Sequence, residues 1–186
     1  SAGLYLWDAG SLEGMPRCEY YLTRLVEAAP ETVWAYNSLG VDLLSLIVEN
    51  VGGQTLQDFF NQKINAAIGI APVRWWSPEG HTAGAGGAEY TARRLARVGY
   101  LALQKGAWHG SPGSEQVIRP DRISLLTRWA PFLAGTKYSG EASPQRKGTG
   151  PRDAPRFYGH LWWTNQAGLG LGPTVTEDAF YMSGWG

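Results

Sequence analysis

Three histidines, one cysteine and eleven serines carry most of the chemical repertoire of this 186-residue sequence, and their spacing decides how much of it is open. His81, His109 and His160 stand far apart, with no His-Glu-x-x-His pair and no Cys-x-x-Cys, which argues against a metal site and for structural histidines. Cys18 is the single cysteine, so no intrachain disulfide forms and the redox compartment stays unassigned. Residues 83–87 read Ala-Gly-Ala-Gly-Gly, which fits neither Gly-x-Gly-x-x-Gly nor a P-loop, and predict a flexible loop. No serine sits at the centre of a Gly-x-Ser-x-Gly run, so a nucleophile elbow is absent. The informative segment is Trp34-Ala35-Tyr36-Asn37-Ser38, where two hydroxyls lead directly into the most apolar stretch of the chain. Taken alone, Tyr36 reads as a half-buried structural tyrosine and Ser38 as the N-cap of the helix that follows.

The elements that position this segment are mostly helical. Leu39 to Val51 is apolar over most of its circumference, which predicts a helix deep inside a domain, capped by Ser38 and ended by a left-handed cap at Gly52-Gly53. A helix from Arg17 to Ala28 precedes it, with Tyr21, Leu22, Leu25 and Val26 on one face. Thr55 caps a third helix reaching to about Ile68, and Thr91 opens a fourth to about Gln104 with Leu95, Val98, Leu101 and Ala102 inward and Arg93, Arg94 and Arg97 outward. Gly106 to Gly113 predicts a turn, and Pro120 starts a short helix running through Leu126 and Trp129. Residues 134–156 predict a long loop. Strands are expected at Phe157–Thr164 and Ala179–Met182.

Composition closes off several function classes. Sixteen Lys+Arg balance 16 Asp+Glu and charged residues make up only 17%, so nothing favours nucleic acid or an anionic membrane as partner. No apolar run approaches the roughly 20 residues that span a bilayer. Hydrophobic residues at 44% are enough for a core, while 25 Gly, 11 Pro, nine Trp and nine Tyr point to long irregular connections and large aromatic contacts.

Four pieces in order carry a resemblance. Trp34 to Ser38 with the helix behind it, residues 86–110 (GGAEYTARRLARVGYLALQKGAWHG), residues 158–166 (YGHLWWTNQ) and residues 179–186 (AFYMSGWG) together resemble the serine β-lactamase and penicillin-binding-protein superfamily. The branch they resemble is that of class C β-lactamases, esterases and 6-aminohexanoate-oligomer hydrolases. Arg94 stands where that family commonly has an acidic residue. The resemblance implies an α+β, β-lactamase/transpeptidase-like fold. Residues 1–156 would form a mainly helical subdomain with the Tyr-x-Ser motif, and 157–186 a partial antiparallel sheet.

In that family a Ser-x-x-Lys serine attacks an acyl carbon while a tyrosine and a lysine move its proton, because an unassisted hydroxyl is a poor nucleophile at neutral pH. By resemblance Tyr36 is the general base or proton relay, Ser38 the polar third position and Asn37 the variable middle one. An unperturbed tyrosine titrates near ~10, so that role requires a cationic neighbour. By resemblance the segment with Ser183, Gly184 and Trp185 supplies the Lys-Thr-Gly counterpart and a backbone N–H for the oxyanion, in one of two registers: Met182-Ser183-Gly184, with the donor at Trp185 N–H, or Trp185-Gly186 aligned with a Trp-Gly-Gly variant. The lysine is missing in both, which favours ester or linear amide substrates over β-lactams. Trp162 and Trp163 alternate across the expected strand, so that one packs inward and Trp162 is a candidate to line a substrate cleft.

No serine is followed three positions later by lysine; Ser143 comes nearest, with Arg146. Ser1-Ala2-Gly3-Leu4 resembles the segment that follows the nucleophile in the family. The expectation is therefore an internal piece of a longer serine hydrolase, without its nucleophile, inactive alone, and prone to oligomerise or to bind a partner that completes its sheet. The alternative is a non-catalytic binding module holding a cell-wall peptide, glycan or protein. No cofactor is expected, and the resemblance favours a periplasmic or secreted setting.

Overall fold

A helix needs its first N–H groups satisfied and its last turn released, and the chain around 37–53 supplies both. The computed structural model describes residues 14–23, 25, 26, 29, 30, 32–34, 36–109, 115–128, 130, 137, 138, 158–168 and 171–182. The chain divides into two compact units, Ser1–Phe59 with Arg74–Ala88 and Gly135–Ala154, and Phe60–Val73 with Glu89–Ala134 and Pro155–Gly186.

In the first unit α1 (Arg17–Thr23) packs on α2 (Ser38–Gly52), and β1 (Val33–Trp34) pairs in parallel with β4 (Lys137–Tyr138). Helix α1 stops five residues short of expectation: Thr23 Oγ1 donates to Tyr20 O at 2.7 Å, and Leu25 and Val26 lie exposed. The apolar residues at its C-terminal end, Leu22, Leu25 and Val26, are exposed and gain no packing, and short helices draw their stability from packing. Helix α2 is capped by Asn37, in extended conformation, rather than by Ser38, which becomes the first helical residue. Asn caps at least as well as Ser, and Asn37 is the residue whose side chain reaches the Gly40 N–H. At the other end Gly53 takes a left-handed φ of 66° and its N–H donates to Glu49 O at 2.8 Å, as expected of a glycine C-cap.

The buried face of α2 overturns the apolar expectation. Ser38, Leu39, Asp42, Ser45 and Glu49 are buried, whereas Leu44 and Ile47 are each 50% exposed and Val51 86%. The reason is a polar stripe at positions 42, 45 and 49 that hydrogen-bonds the loop at 82–85 and so decides which face turns inward. Thr55 caps α3 (Leu56–Phe60) reciprocally with Asp58: Asp58 N donates to Thr55 Oγ1 at 3.0 Å and Thr55 Oγ1 to Asp58 Oδ2 at 2.8 Å.

The second unit holds the apolar core: Ile68, Ile70, Val73 and Leu101, with Ile64, Tyr90, Val98 and Trp108 packed against them. The helix expected to run to Ile68 gives way to a π-helical turn at Asn61–Asn65. A part-buried network of amide groups accounts for it. Asn61 Oδ1 accepts from Val73 N and from Asn65 Nδ2, Asn61 Nδ2 donates to Val73 O, and Tyr90 Oη donates to Asn65 Oδ1 at 3.0 Å. Burial pushes the Tyr90 phenol up, only partly offset by that bond.

Helix α4 (Ala92–Leu103) starts at the expected Thr91 cap and buries Leu101 and Ala102, but Leu95 is exposed. Arg97, expected outward, donates to the carbonyls of Ile68 and Gly69 at 3.1 and 2.5 Å, closing the turn that follows the π-helix. Of the turn expected at 106–113, Gly106 takes a left-handed φ of 82° and leads into β2 (Ala107–Trp108), which pairs antiparallel with β3 (Glu115–Gln116), while 110–113 lie outside the described residues. Helix α5 (Pro120–Leu126) begins with proline as expected, while Trp129 lies outside the described residues.

The last ladder is β5 (Trp163–Thr164) antiparallel to β6 (Phe180–Tyr181), with Trp163 opposite Tyr181 and Thr164 opposite Phe180. The strand expected over 157–164 is therefore mostly a tight turn. Gly159 N donates to Trp162 O at 2.7 Å, Tyr158 bridges back to Trp163, and Leu161 takes a φ of 69°. Asn165, fully buried, gathers the β5–β6 connection by donating to the carbonyls of Gly172, Val175 and Thr176 and accepting from Leu171 N.

Candidate active site

Tyr36 stands half-buried between β1 and α2. Two groups next to it are fixed by the helix start: Asn37, extended at φ −142° and ψ 102°, and Ser38, buried in the first turn. Asn37 Oδ1 accepts from Gly40 N at 2.9 Å, and Asn37 Nδ2 donates to Tyr21 Oη on α1 at 3.0 Å. The motif is therefore held from both sides, by a cap on α2 and by a tether to α1.

Behind the motif runs the polar stripe that sequence reasoning missed. Asp42 Oδ1 accepts from Ala85 N at 3.0 Å, and Ser45 Oγ donates to Thr82 O at 2.6 Å. Glu49 Oε1 accepts from Leu56 N and from Thr82 N, both at 2.9 Å, while its Oε2 lies 2.9 Å from His81 Nδ1. Burial alone would raise the Glu49 carboxyl, but the two backbone N–H groups with His81 and the Thr82 hydroxyl outweigh it and hold the group below its ordinary range. The signal was present as Asp42, Ser45 and Glu49 at i, i+3 and i+7, one face of one helix, hidden among more numerous aliphatic neighbours.

The Ala-Gly-Ala-Gly-Gly segment, expected to be flexible, is pinned instead. Trp75 Nε1 is shared between Ala83 O at 2.8 Å and Gly86 O at 3.0 Å, and Trp76 N donates to Gly87 O. A Cβ on Gly84 would lie 2.6 Å from Val41 O, so glycine lets the loop lie directly on α2. Cys18, Asp42, Pro78, Glu79, His81, Thr82 and Ala83 line a cavity of about 20 Å³, room for a water rather than a substrate. Among the described residues no group of three or more His, Cys, Asp or Glu side chains could hold a metal ion, and no helix is long and apolar enough to cross a membrane.

The other candidate residues belong to the second unit. Trp162 is half-buried and packs edge-to-face on Phe180 at 5.5 Å, while Trp163 lies against Tyr158 and Tyr181. Trp162 precedes β5 rather than alternating with Trp163 within it. Ser183, Gly184 and Trp185 follow β6 in sequence and lie outside the described residues. His160 Nδ1 sits 3.2 Å from Leu125 O, which with the His81–Glu49 pair gives two of the three histidines structural partners.

No curated protein matches the chain. A crystal structure described as "putative beta-lactamase from Bacteroides dorei DSM 17855" is similar to it, with 18% identity and a TM-score of 0.59, covering 80% of this chain and 43% of that one. The likeness is one of fold, α+β and beta-lactamase-like, and this chain spans less than half the length of that protein. The beta-lactamase family profile matches residues 1–186, end to end, and the chain belongs to the beta-lactamase family.

Proposed function

We propose that the protein is a serine hydrolase of the class C, esterase and amidase branch of this family, acting through an acyl-enzyme on an ester, amide or peptide-like substrate. The observation that carries the reading is Tyr36, half-buried at the capped start of α2, with Ser38 in the first turn beside it. Tyr36 takes the proton from an attacking serine and returns it to the leaving group, and Ser38 forms the polar wall. By the resemblance, a backbone N–H within residues 183–186, in either register of the Lys-Thr-Gly counterpart, is the candidate donor to the developing oxyanion, an interaction typically worth about 3 kcal/mol in the transition state. With no lysine in that last motif, substrates without a carboxylate to anchor are preferred.

None of the eleven serines stands three residues before a lysine, and the reading assigns the nucleophile to chain outside these 186 residues. Mass spectrometry after treatment with a fluorophosphonate or a penicillin tests it. The full-length protein should take up one equivalent on a Ser-x-x-Lys serine, and the 186-residue chain none. A labelled serine within residues 1–186 contradicts the assignment, and an unlabelled, catalytically silent full-length protein returns the scaffold to a binding role.

A further inference from the structure

The residue between Tyr36 and Ser38 has no part in the reaction just described, yet it is the side chain of the segment with a hydrogen bond at each end of its amide. A backbone N–H can only donate, so the Asn37 atom facing Gly40 N is the oxygen, and the atom facing Tyr21 Oη is the nitrogen, with the phenol as acceptor. One planar amide therefore joins three places: its own Cα between Tyr36 and Ser38, the first turn of α2, and α1 at a residue 16 positions upstream. Both bonds are part-buried, where competition from water is reduced. Tyr21 Oη also lies close over the helix start, since a Cβ on Gly40 would sit 3.6 Å from it and 3.5 Å from Asn37 Cγ.

A helix cap needs only the Oδ1 bond; Ser or Asp would serve. The Nδ2–Tyr21 bond adds nothing to the cap and instead fixes the rotation of the amide, and with it the backbone from which Tyr36 projects. We propose that Tyr21 and Asn37 form a positioning clamp for Tyr36, a role that rests on the reading of Tyr36 as the proton relay. Neither is a catalytic residue, because each acts through the placement of another side chain. Misplacing a reacting group by about 1 Å can cost on the order of 100-fold in rate, so a partial loosening of this kind is expected to cost about tenfold.

The test uses the full-length protein, an ester substrate and rate constants per active site titrated with a fluorophosphonate, so that a smaller folded fraction does not masquerade as a slower reaction. Tyr21→Phe keeps the ring and removes the acceptor. Asn37→Ser keeps a good cap but is too short to reach Tyr21. Each should lower kcat about tenfold with KM within about twofold, and the double variant should be no slower than either single one, because all three break the same bond. Single variants within twofold of wild type, or losses that multiply in the double variant, overturn the clamp. Tyr36→Phe run in parallel separates the two claims: if it is slow while Tyr21→Phe is normal, only the clamp fails, and if Tyr36→Phe is itself normal, the relay and the clamp fail together.

Discussion

Glu49 ties α2 to two other segments, since one carboxylate receives two backbone N–H groups and the imidazole of His81. Removing it as Glu49→Ala strands Leu56 N and Thr82 N, and a urea denaturation curve at pH 7 should show a loss of about 2–3 kcal/mol. Its folded-state pKa lies below the ordinary 4.5, so its contribution is complete above that value and is lost as pH falls through it toward the folded pKa. Between pH 6 and pH 3.5, Glu49→Gln should therefore show a shallower decline in urea midpoint than wild type; a steeper one contradicts the sign. Thr164 is the converse case. The residue is 3% exposed and its hydroxyl is buried with no hydrogen-bond partner among the described residues, so Thr164→Val should be neutral or stabilising by up to ~1 kcal/mol, and a loss would reveal a partner. Such residues were poorly legible in the sequence, because a buried polar side chain is recognised by its partners, and Glu49 finds His81 32 positions away.

At the scale of elements, local chemistry was readable and long-range chemistry was not. Gly53, Thr55, Thr91 and Pro120 end or begin helices where their types predict, since a cap bonds within its own turn. The ladders Ala107–Trp108 with Glu115–Gln116 and Val33–Trp34 with Lys137–Tyr138 are two residues per strand, too short for alternation to register. The opposite error arose at 158–164, where aromatic β-propensity concealed a turn with Leu161 at positive φ. The Ala-Gly-Ala-Gly-Gly loop teaches the same lesson, for composition suggested mobility while Asp42, Ser45 and Trp75 hold it against α2 and the strand-like segment at Trp75. Gly84→Ala should therefore destabilise by about 1–3 kcal/mol through the clash with Val41 O, measured by thermal or urea unfolding. A neutral result would mean the loop stands off the helix.

For the molecule as a whole, motif order proved more informative than any single motif: four weak pieces in sequence anticipated a family that matches residues 1–186. Of the candidate site, the Tyr36–Ser38 segment was legible, but its Asn37 cap and Tyr21 tether were not, because the tether joins separate elements. Leu44, Ile47, Val48 and Val51 are exposed on one face of α2, and among the described residues the β-ladders are two strands wide. Apolar patches and unpaired strand edges favour association, so the isolated 186-residue chain should self-associate, with a sedimentation mass that rises with concentration. A monodisperse 20.3 kDa monomer throughout would contradict that. The central claim, that Tyr36 moves the proton in acyl transfer, is tested most directly by the pre-steady-state acylation rate of Tyr36→Phe in the full-length protein. A fall of about 100-fold or more, with folding intact, is the predicted result, and an acylation rate equal to wild type would contradict it.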